Sequence, residues 1–297
     1  DPFYLDCADY QMRFVLPKEY ALASTGAVVE EKSLESKKQY FLKAEKVRDF
    51  AVFACEKYQT LEKKIDGVKV QYFYFDDERA EENFKTIGKA FAYFSKTFGK
   101  YPYPEYKVAQ ADFCYGGMEY PAATIVSPKL SKEEYAHTLV HETAHQWWYA
   151  VVGSDQVNEA WQDEGLCEYS TKLFFDEHQE YGVSGKSLVD DALLNVREYY
   201  RVYGSVFGET DTRMTRNLSE YLSEYEYRTI AYDKGMVLFD TVKKSVGKKK
   251  FLSALKRYYA ENKFKTVRPA ELIGAFENTG VDVAGLFDGF LSGKGII

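Results

Sequence analysis

The 297-residue sequence lacks the features of membrane-spanning, disulfide-rich and repetitive proteins. It has no run of eighteen apolar residues and its mean hydropathy is -0.44, so we expect no membrane segment. Its 4 cysteines lack C-x-x-C spacing, which predicts reduced, mostly packed thiols rather than a disulfide framework or a thiolate metal site. No repeat or low-complexity tract is present. The sequence therefore predicts a globular protein, whose 45% hydrophobic content can supply a large core.

The sequence also lacks an excess of positive charge. Its 46 acidic residues outnumber its 39 basic residues, for a formal net charge of -7. Binding to nucleic acid needs a net basic face, so we expect no nucleic acid as a partner. The one basic cluster, at residues 243–250, is expected to be a solvated helix end and the start of the next helix.

Secondary-structure signals change along the chain. Up to about residue 62, strand-like segments alternate with turn signals such as Thr25-Gly26. Residues 77–99 then carry apolar residues at helical spacing, with Gly99 as the stop. A second strand region follows at 106–117, and nearly everything past residue 131 has helical periodicity. The pattern predicts strands first and helices afterwards.

One helix is marked at both ends. Ser131 and Glu134 are spaced as a capping box, and Gly153 is a stop signal, so we expect one helix over residues 132–152. That helix carries His137, His141 and His145, three of the chain's 4 histidines.

The three histidines share a helix face but cannot share one metal ion. Positions eight apart lie about 12 Å apart along a helix, so at most one adjacent pair can chelate. The residue after the first histidine of a pair lies about 100° round the helix and flanks the metal's open side. For His141 and His145 that residue is Glu142, a possible base, whereas for the earlier pair it is Thr138, which cannot serve. The stretch is thus H-E-x-x-H, a zinc-binding pattern, and His137 is expected only to pack beside it.

A zinc site built this way needs a third protein ligand. Four acidic residues compete for that role, and spacing alone does not choose among Glu159, Asp163, Glu164 and Glu168. The last two lie one helical turn apart, so at most one of them is expected to bind the metal.

Three ordered motifs resemble one family. HETAHQWW is followed by WQDEG, with eighteen residues between His145 and Glu164. GGMEY at 116–120 resembles a G-x-M-E-N exopeptidase motif, and YDKG at 232–235 resembles a Y-x-K-G segment. Together they resemble the gluzincin zinc aminopeptidases of the aminopeptidase N and leukotriene A4 hydrolase family.

The resemblance implies roles for the residues of the metal site. It makes His141, His145 and Glu164 the ligands of one zinc ion per chain. It makes Glu142 the general base toward a metal-activated water. Tyr232 would stabilise the oxyanion, with Tyr227 as the alternative if the helix register differs.

The resemblance also implies a substrate, namely peptides with a free N-terminus. Glu119 would bind the free α-amino group, and Gly116, Gly117 and Met118 would bind the adjoining peptide backbone. Tyr120 stands where the family motif has asparagine, which leaves the finer substrate contacts open.

For the fold, the resemblance implies an α+β, thermolysin-like zinc peptidase domain, mostly helical with a small mixed sheet. A partial β-sheet domain would precede it, with residues 1–62 closing that domain and residues 63–297 forming the catalytic domain. The chain is then expected to be a piece of a longer protein. Two alternatives stay open: a non-catalytic scaffold that binds partners, and a zinc endopeptidase or epoxide hydrolase on the same site. Neither oligomeric state nor compartment follows from the sequence.

Overall fold

The computed structural model describes residues 4–75, 77–208 and 210–294. The chain divides into a first unit, Leu5–Val151, and a second unit, Val152–Ile297 with Asp1–Tyr4. The predicted domain boundary at residue 62 differs from this division, and it remains a prediction. Residues 1–3 and 295–297, at the outer ends of the two predicted domains, lie outside the described residues.

The strands of the described chain lie in the first unit and form three sheets. They are β1 (Ala8–Pro17), β2 (Ala21–Ser24), β3 (Ala27–Ser33), β4 (Lys37–Val47), β5 (Val52–Cys55), β6 (Gln59–Ile65), β7 (Val68–Tyr74), β8 (Glu105–Gln110), β9 (Gly117–Met118) and β10 (Ala123–Val126). The sheets have the orders β1-β4-β3, β2-β5 and β6-β7-β8-β10-β9. The strands predicted before residue 62 are therefore present, with the Thr25-Gly26 turn between β2 and β3.

The five-stranded sheet is mixed, as predicted. Its inner strands β7, β8 and β10 run parallel, whereas β6 and β9 pair antiparallel at the two edges. Val70, Tyr72 and Val108 in its centre are fully buried. A parallel pair needs a crossover, and helix α1 (Ala80–Thr97) supplies it between β7 and β8.

Helix α1 follows the predicted apolar pattern. Ile87, Phe91 and Phe94 are buried, while Phe84 is only half-buried. The helix stops just before Gly99, whose φ of 143° lies where L side chains are rarely found. The predicted stop at Gly99 is confirmed.

Helix α2 (Lys132–Ala144) begins as predicted and ends early. Ser131 and Glu134 form the expected capping box. The predicted end near residue 152 is wrong, because the helix stops at Ala144 with His145 as its C-cap. After Ala144 the backbone forms tighter turns than an α-helix. The N–H groups of Gln146 and Trp147 donate to carbonyls three residues back, at 3.2 Å and 2.9 Å.

Tertiary packing ends this helix against its local signals. Trp147 packs among Phe91, Phe94 and Tyr101, and its Nε1 donates to the Gly99 carbonyl at 2.8 Å. Both Trp147 and Trp148 are almost fully buried. Burying two indoles stabilises the protein by more than a few helical hydrogen bonds do, so packing overrides the helical pattern.

The described part of the second unit is helical. Its helices are α3 (Trp161–Glu177), α4 (Gly185–Phe207), α5 (Glu224–Tyr227), α6 (Lys234–Val246), α7 (Lys248–Asn262), α8 (Pro269–Glu277) and α9 (Ala284–Leu291). Between α5 and α6 the backbone forms a π-helix over Arg228–Asp233. Such π-helical turns are rare and frequently occur at functional sites.

The cysteines agree only in part with the sequence expectation. None of the four forms a disulfide, but only Cys167 is buried, whereas Cys7 and Cys55 are half-buried and Cys114 is exposed. In the described ranges, no helix is both long and apolar enough to span a bilayer.

Candidate metal and peptide site

The two histidines of the H-E-x-x-H motif converge. His141 and His145 are buried on the last turn and at the C-cap of α2, and their Nε2 atoms lie 3.0 Å apart. Two imidazoles on one tetrahedral zinc ion would have nitrogens about 3.3 Å apart, because each Zn–N bond is about 2.0–2.1 Å. His137, one turn earlier, is half-buried, and its ring stacks beside that of His141 at 6.2 Å.

The tautomer of His145 follows from its neighbour. Its Nδ1 lies 3.1 Å from the Trp148 carbonyl oxygen, which can only accept a hydrogen bond. The proton is therefore on Nδ1, and Nε2 carries the lone pair that a metal requires. A backbone carbonyl in this place is the usual orienting partner of a metal-binding histidine.

Glu142 lies against the GGMEY strand. Gly117, in β9, approaches it so closely that a Cβ built on this glycine would lie 2.5 Å from Glu142 Oε1. Only glycine leaves room for the carboxylate in this position. Because β9 is an edge strand, a peptide that paired with it would lie beside Glu142.

The other residues of the GGMEY motif differ in how far they are buried. Met118 and Glu119 are buried, whereas Gly116 and Tyr120 are half-buried. The Tyr120 ring packs on Phe53 of β5 at 5.7 Å. Burial raises the pKa of Tyr120, and the carboxylates of Asp49 and Glu119 raise it further.

The competing acidic residues have different surroundings in the second unit. Glu159 accepts a hydrogen bond from Trp161 Nε1 at 2.6 Å, and burial raises its pKa. Asp163 accepts one from Gln156 Nε2. Glu164 is buried in the first turn of α3, and Glu168 is half-buried one turn later.

Within the first unit, His141 and His145 offer two imidazole nitrogens that could hold a metal ion. Each unit by itself also contains buried carboxylates: Glu119 and Glu142 in the first, and Asp163 and Glu164 in the second. Two imidazoles and a carboxylate are a donor set that zinc hydrolases use, and the Nδ1 tautomer of His145 fits it.

Tyr232 and Tyr227 are neighbours because of the π-helix. A π-helix bonds residues five apart and so has a wider turn than an α-helix, which brings side chains five residues apart to nearly the same side. Their rings meet edge to face with centroids 5.5 Å apart, and both are half-buried. The two tyrosines therefore lie side by side, and the choice between them remains a prediction.

The two residues that follow Tyr232 have shifted pKa values. Burial raises the pKa of Asp233 to about 7, and nearby Glu168 adds to this. Burial lowers the pKa of Lys234 to about 8, and its Nζ donates to the Thr212 carbonyl at 2.6 Å.

The motif glycines Gly165 and Gly235 have a role that the sequence analysis missed. Gly165 follows Glu164 in α3, and Gly235 is the second residue of α6. A Cβ built on Gly165 would lie 2.7 Å from the Gly235 Cα, so the two helix backbones touch there. A glycine inside a helical pattern is the signal that could have indicated this contact.

Comparison with known proteins identifies the family. The family model described as "Peptidase family M1 domain" matches residues 82–290. Because this match covers most of the chain, the chain belongs to peptidase family M1.

Two individual proteins are similar to this chain. Leucine aminopeptidase 2 from Lodderomyces elongisporus is 23% identical over 219 residues, which cover 66% of this chain and 33% of that protein. Leukotriene A-4 hydrolase from Xenopus laevis is 26% identical over 202 residues, with 63% and 31% covered. The chain thus spans about a third of the length of these curated relatives.

The fold is also similar to a solved structure. A mutant M1 zinc metallopeptidase from Deinococcus radiodurans, bound to a Tyr-Ser-Ala substrate, has a TM-score of 0.75 at 18% identity. The match covers 100% of this chain and 66% of that one. The predicted thermolysin-like α+β fold class is confirmed by this likeness.

Proposed function

We propose that the protein is a zinc-dependent aminopeptidase that removes the N-terminal residue from peptides. One observation carries the proposal: the H-E-x-x-H pair converges while Glu142, between the two histidines, lies against the GGMEY edge strand. These positions suit a metal donor pair, a base and a strand that binds a peptide. Membership of peptidase family M1 supports the same conclusion.

In this proposal His141, His145 and Glu164 hold one zinc ion per chain. Zinc bound there would act as a Lewis acid that polarises the scissile carbonyl and lowers the pKa of water. The Trp148 carbonyl keeps the His145 proton on Nδ1 and so leaves its Nε2 free as a ligand.

Glu142 acts as the general base. Its carboxylate takes the proton of the attacking water and later delivers it to the leaving amine. It is buried, which keeps bulk water from competing for that proton. Tyr232 donates a hydrogen bond to the developing oxyanion, and its place in a π-helical turn supports such a role.

Substrate binding falls to the GGMEY strand. The peptide adds to the free edge of β9 through Gly116, Gly117 and Met118, and Glu119 binds its free ammonium group. A buried carboxylate at a set distance from the base limits cleavage to the first peptide bond. It also disfavours internal bonds, which argues against an endopeptidase.

The central test combines metal analysis with hydrolysis of aminoacyl chromogenic amides. Glu142→Gln is expected to keep one zinc per chain and to lose turnover, because the amide cannot accept the proton. Loss of zinc in this variant would show that Glu142 is not the base. A wild-type chain with neither zinc nor hydrolysis would favour the non-catalytic scaffold.

A second test addresses the amine anchor. Glu119→Ala is expected to reduce hydrolysis of free-amine substrates far more than that of N-acetylated ones, because only the former present an ammonium group. An equal loss on both substrates would remove the anchor role from Glu119. N-acetylated peptides cleaved at internal bonds would favour the endopeptidase.

A further inference from the structure

We infer that Gln146 is a positioning residue that sets the place of Glu119 and thereby the preference for a free amino terminus. The inference rests on the proposed function, since it concerns the amine anchor of that site. Gln146 follows His145 directly and is fully buried. Its side-chain amide reaches from the end of the H-E-x-x-H helix to the segment that carries Glu119.

The contacts of Gln146 converge on the backbone of that segment. Its Oε1 accepts from the Ala122 N–H at 2.8 Å and from the Tyr101 hydroxyl at 3.2 Å. Its Nε2 donates to the Tyr120 carbonyl and to Thr124 Oγ1, both at 3.2 Å, and lies 3.5 Å from the Glu119 carbonyl. One amide thus holds the segment from both sides of Pro121.

The segment needs such support. It lies after β9 ends at Met118 and before β10 begins at Ala123, where the Ala122 carbonyl accepts from Lys107 of β8 but the Ala122 N–H bonds the Gln146 side chain instead of a strand. Ala122 has a φ of 56°, in the left-handed region that costs a residue with a side chain about 1 kcal/mol or more. Such a conformation persists only where its surroundings impose it, and the Ala122 N–H is bonded to Gln146.

The amide group of Gln146 matches the backbone groups that it contacts. The segment presents an N–H group and a carbonyl oxygen to the same side chain, and a terminal amide accepts from the first with its oxygen while it donates to the second with its nitrogen. A glutamate would still accept from Ala122 but would turn an oxygen toward the Tyr120 carbonyl. A leucine of similar size would leave both backbone groups without this partner.

Binding of a zinc-chelating ligand tests the inference without requiring turnover. The probes are leucine hydroxamate and N-acetyl-leucine hydroxamate, titrated by calorimetry into zinc-loaded chain. The measured quantity is the ratio of their dissociation constants. Gln146→Leu is expected to reduce the preference for the free amine by about ten- to a hundredfold, since a shift of about 1 Å in a positioned group has effects of this size.

Two comparisons distinguish a role of Gln146 in positioning Glu119 from an effect on the stability of the fold alone. If Gln146 acts through Glu119, then adding Gln146→Leu to Glu119→Ala produces no further loss of the preference. Gln110→Leu is the matched control, because Gln110 is equally buried in the first unit and its amide bonds Phe75 and Tyr135. It is expected to lower the unfolding midpoint and to keep the binding ratio.

The outcomes distinguish this inference from the proposed function. If the wild type does not prefer the free amine, or if Glu119→Ala keeps the preference, the anchor itself is wrong. If both behave as proposed and Gln146→Leu keeps the wild-type ratio, the positioning role is overturned. Should Gln146→Leu not fold, Gln146→Glu carries the same test, and an unchanged ratio in that variant overturns the role.

Discussion

The close approach of Gly117 to Glu142 makes the sharpest prediction. In Gly117→Ala the new Cβ would lie 2.5 Å from Oε1, 2.7 Å from Cδ and 2.8 Å from Cγ of Glu142. Ordinary carbon contacts begin near 3.5 Å, so the carboxylate has to retreat by about 1 Å. A misplacement of that size can reduce catalysis by about a hundredfold, which corresponds to roughly 2.7 kcal/mol.

The same substitution is expected to spare the fold and the metal. The Cβ meets the outer part of a long side chain, which can turn away, so the loss of stability should stay near about 1 kcal/mol. The assay measures kcat on a free-amine aminoacyl amide, zinc content and the unfolding midpoint. Gly116→Ala provides the comparison, because its Cβ would meet Thr138 Oγ1 at an ordinary 3.5 Å. Any effect of that variant should appear in KM.

An unchanged kcat in Gly117→Ala would refute this reasoning. If Gly117→Ala keeps the wild-type kcat with full zinc occupancy, then Glu142 either does not occupy this position during the reaction or is not the base. A loss of zinc together with activity would place the damage in the metal ligands instead.

Three other predictions concern the second unit. Gly165→Ala is expected to lower the unfolding free energy, measured in urea, by about 1–3 kcal/mol. Its Cβ would lie 2.7 Å from the Gly235 backbone, which cannot rotate away as a side chain can. An unchanged midpoint would contradict the contact between the two helices. Tyr232→Phe is expected to lower kcat with unchanged zinc content, and the same result from Tyr227→Phe alone would transfer the role to Tyr227. Asp233, facing Glu168, Asp191, Asn195 and Arg228, has a pKa raised from 3.8 to about 7, so the native state binds its proton more tightly than the unfolded state. Its stabilising contribution is full below about pH 4 and is lost as the pH rises through about 7. The unfolding free energy should therefore fall more between pH 5 and pH 8 in the wild type than in Asp233→Asn, and equal slopes would exclude the shift.

Local signals predicted the elements that hold the site because those signals are short-range. The capping box at Ser131 and the stop at Gly99 depend on neighbouring residues alone, and both are present. The pairing of His141 with His145 likewise needed only the pitch of a helix. The end of α2 was mispredicted because burial of Trp147 and Trp148 among distant aromatic rings outweighs helical periodicity.

By itself the sequence indicated the H-E-x-x-H pair, the proposed base between its histidines, the strand-then-helix order and the net negative charge. Each of these follows from composition or from residues within a few turns of one another. Three contacts were decided only by the tertiary structure. Gly117 packs against the Glu142 carboxylate, and the backbones of Gly165 and Gly235 are in contact. Gln146 forms hydrogen bonds with the segment that carries Glu119. The physical reason is that such contacts join residues more than twenty positions apart, and no local pattern encodes which of many buried side chains will meet.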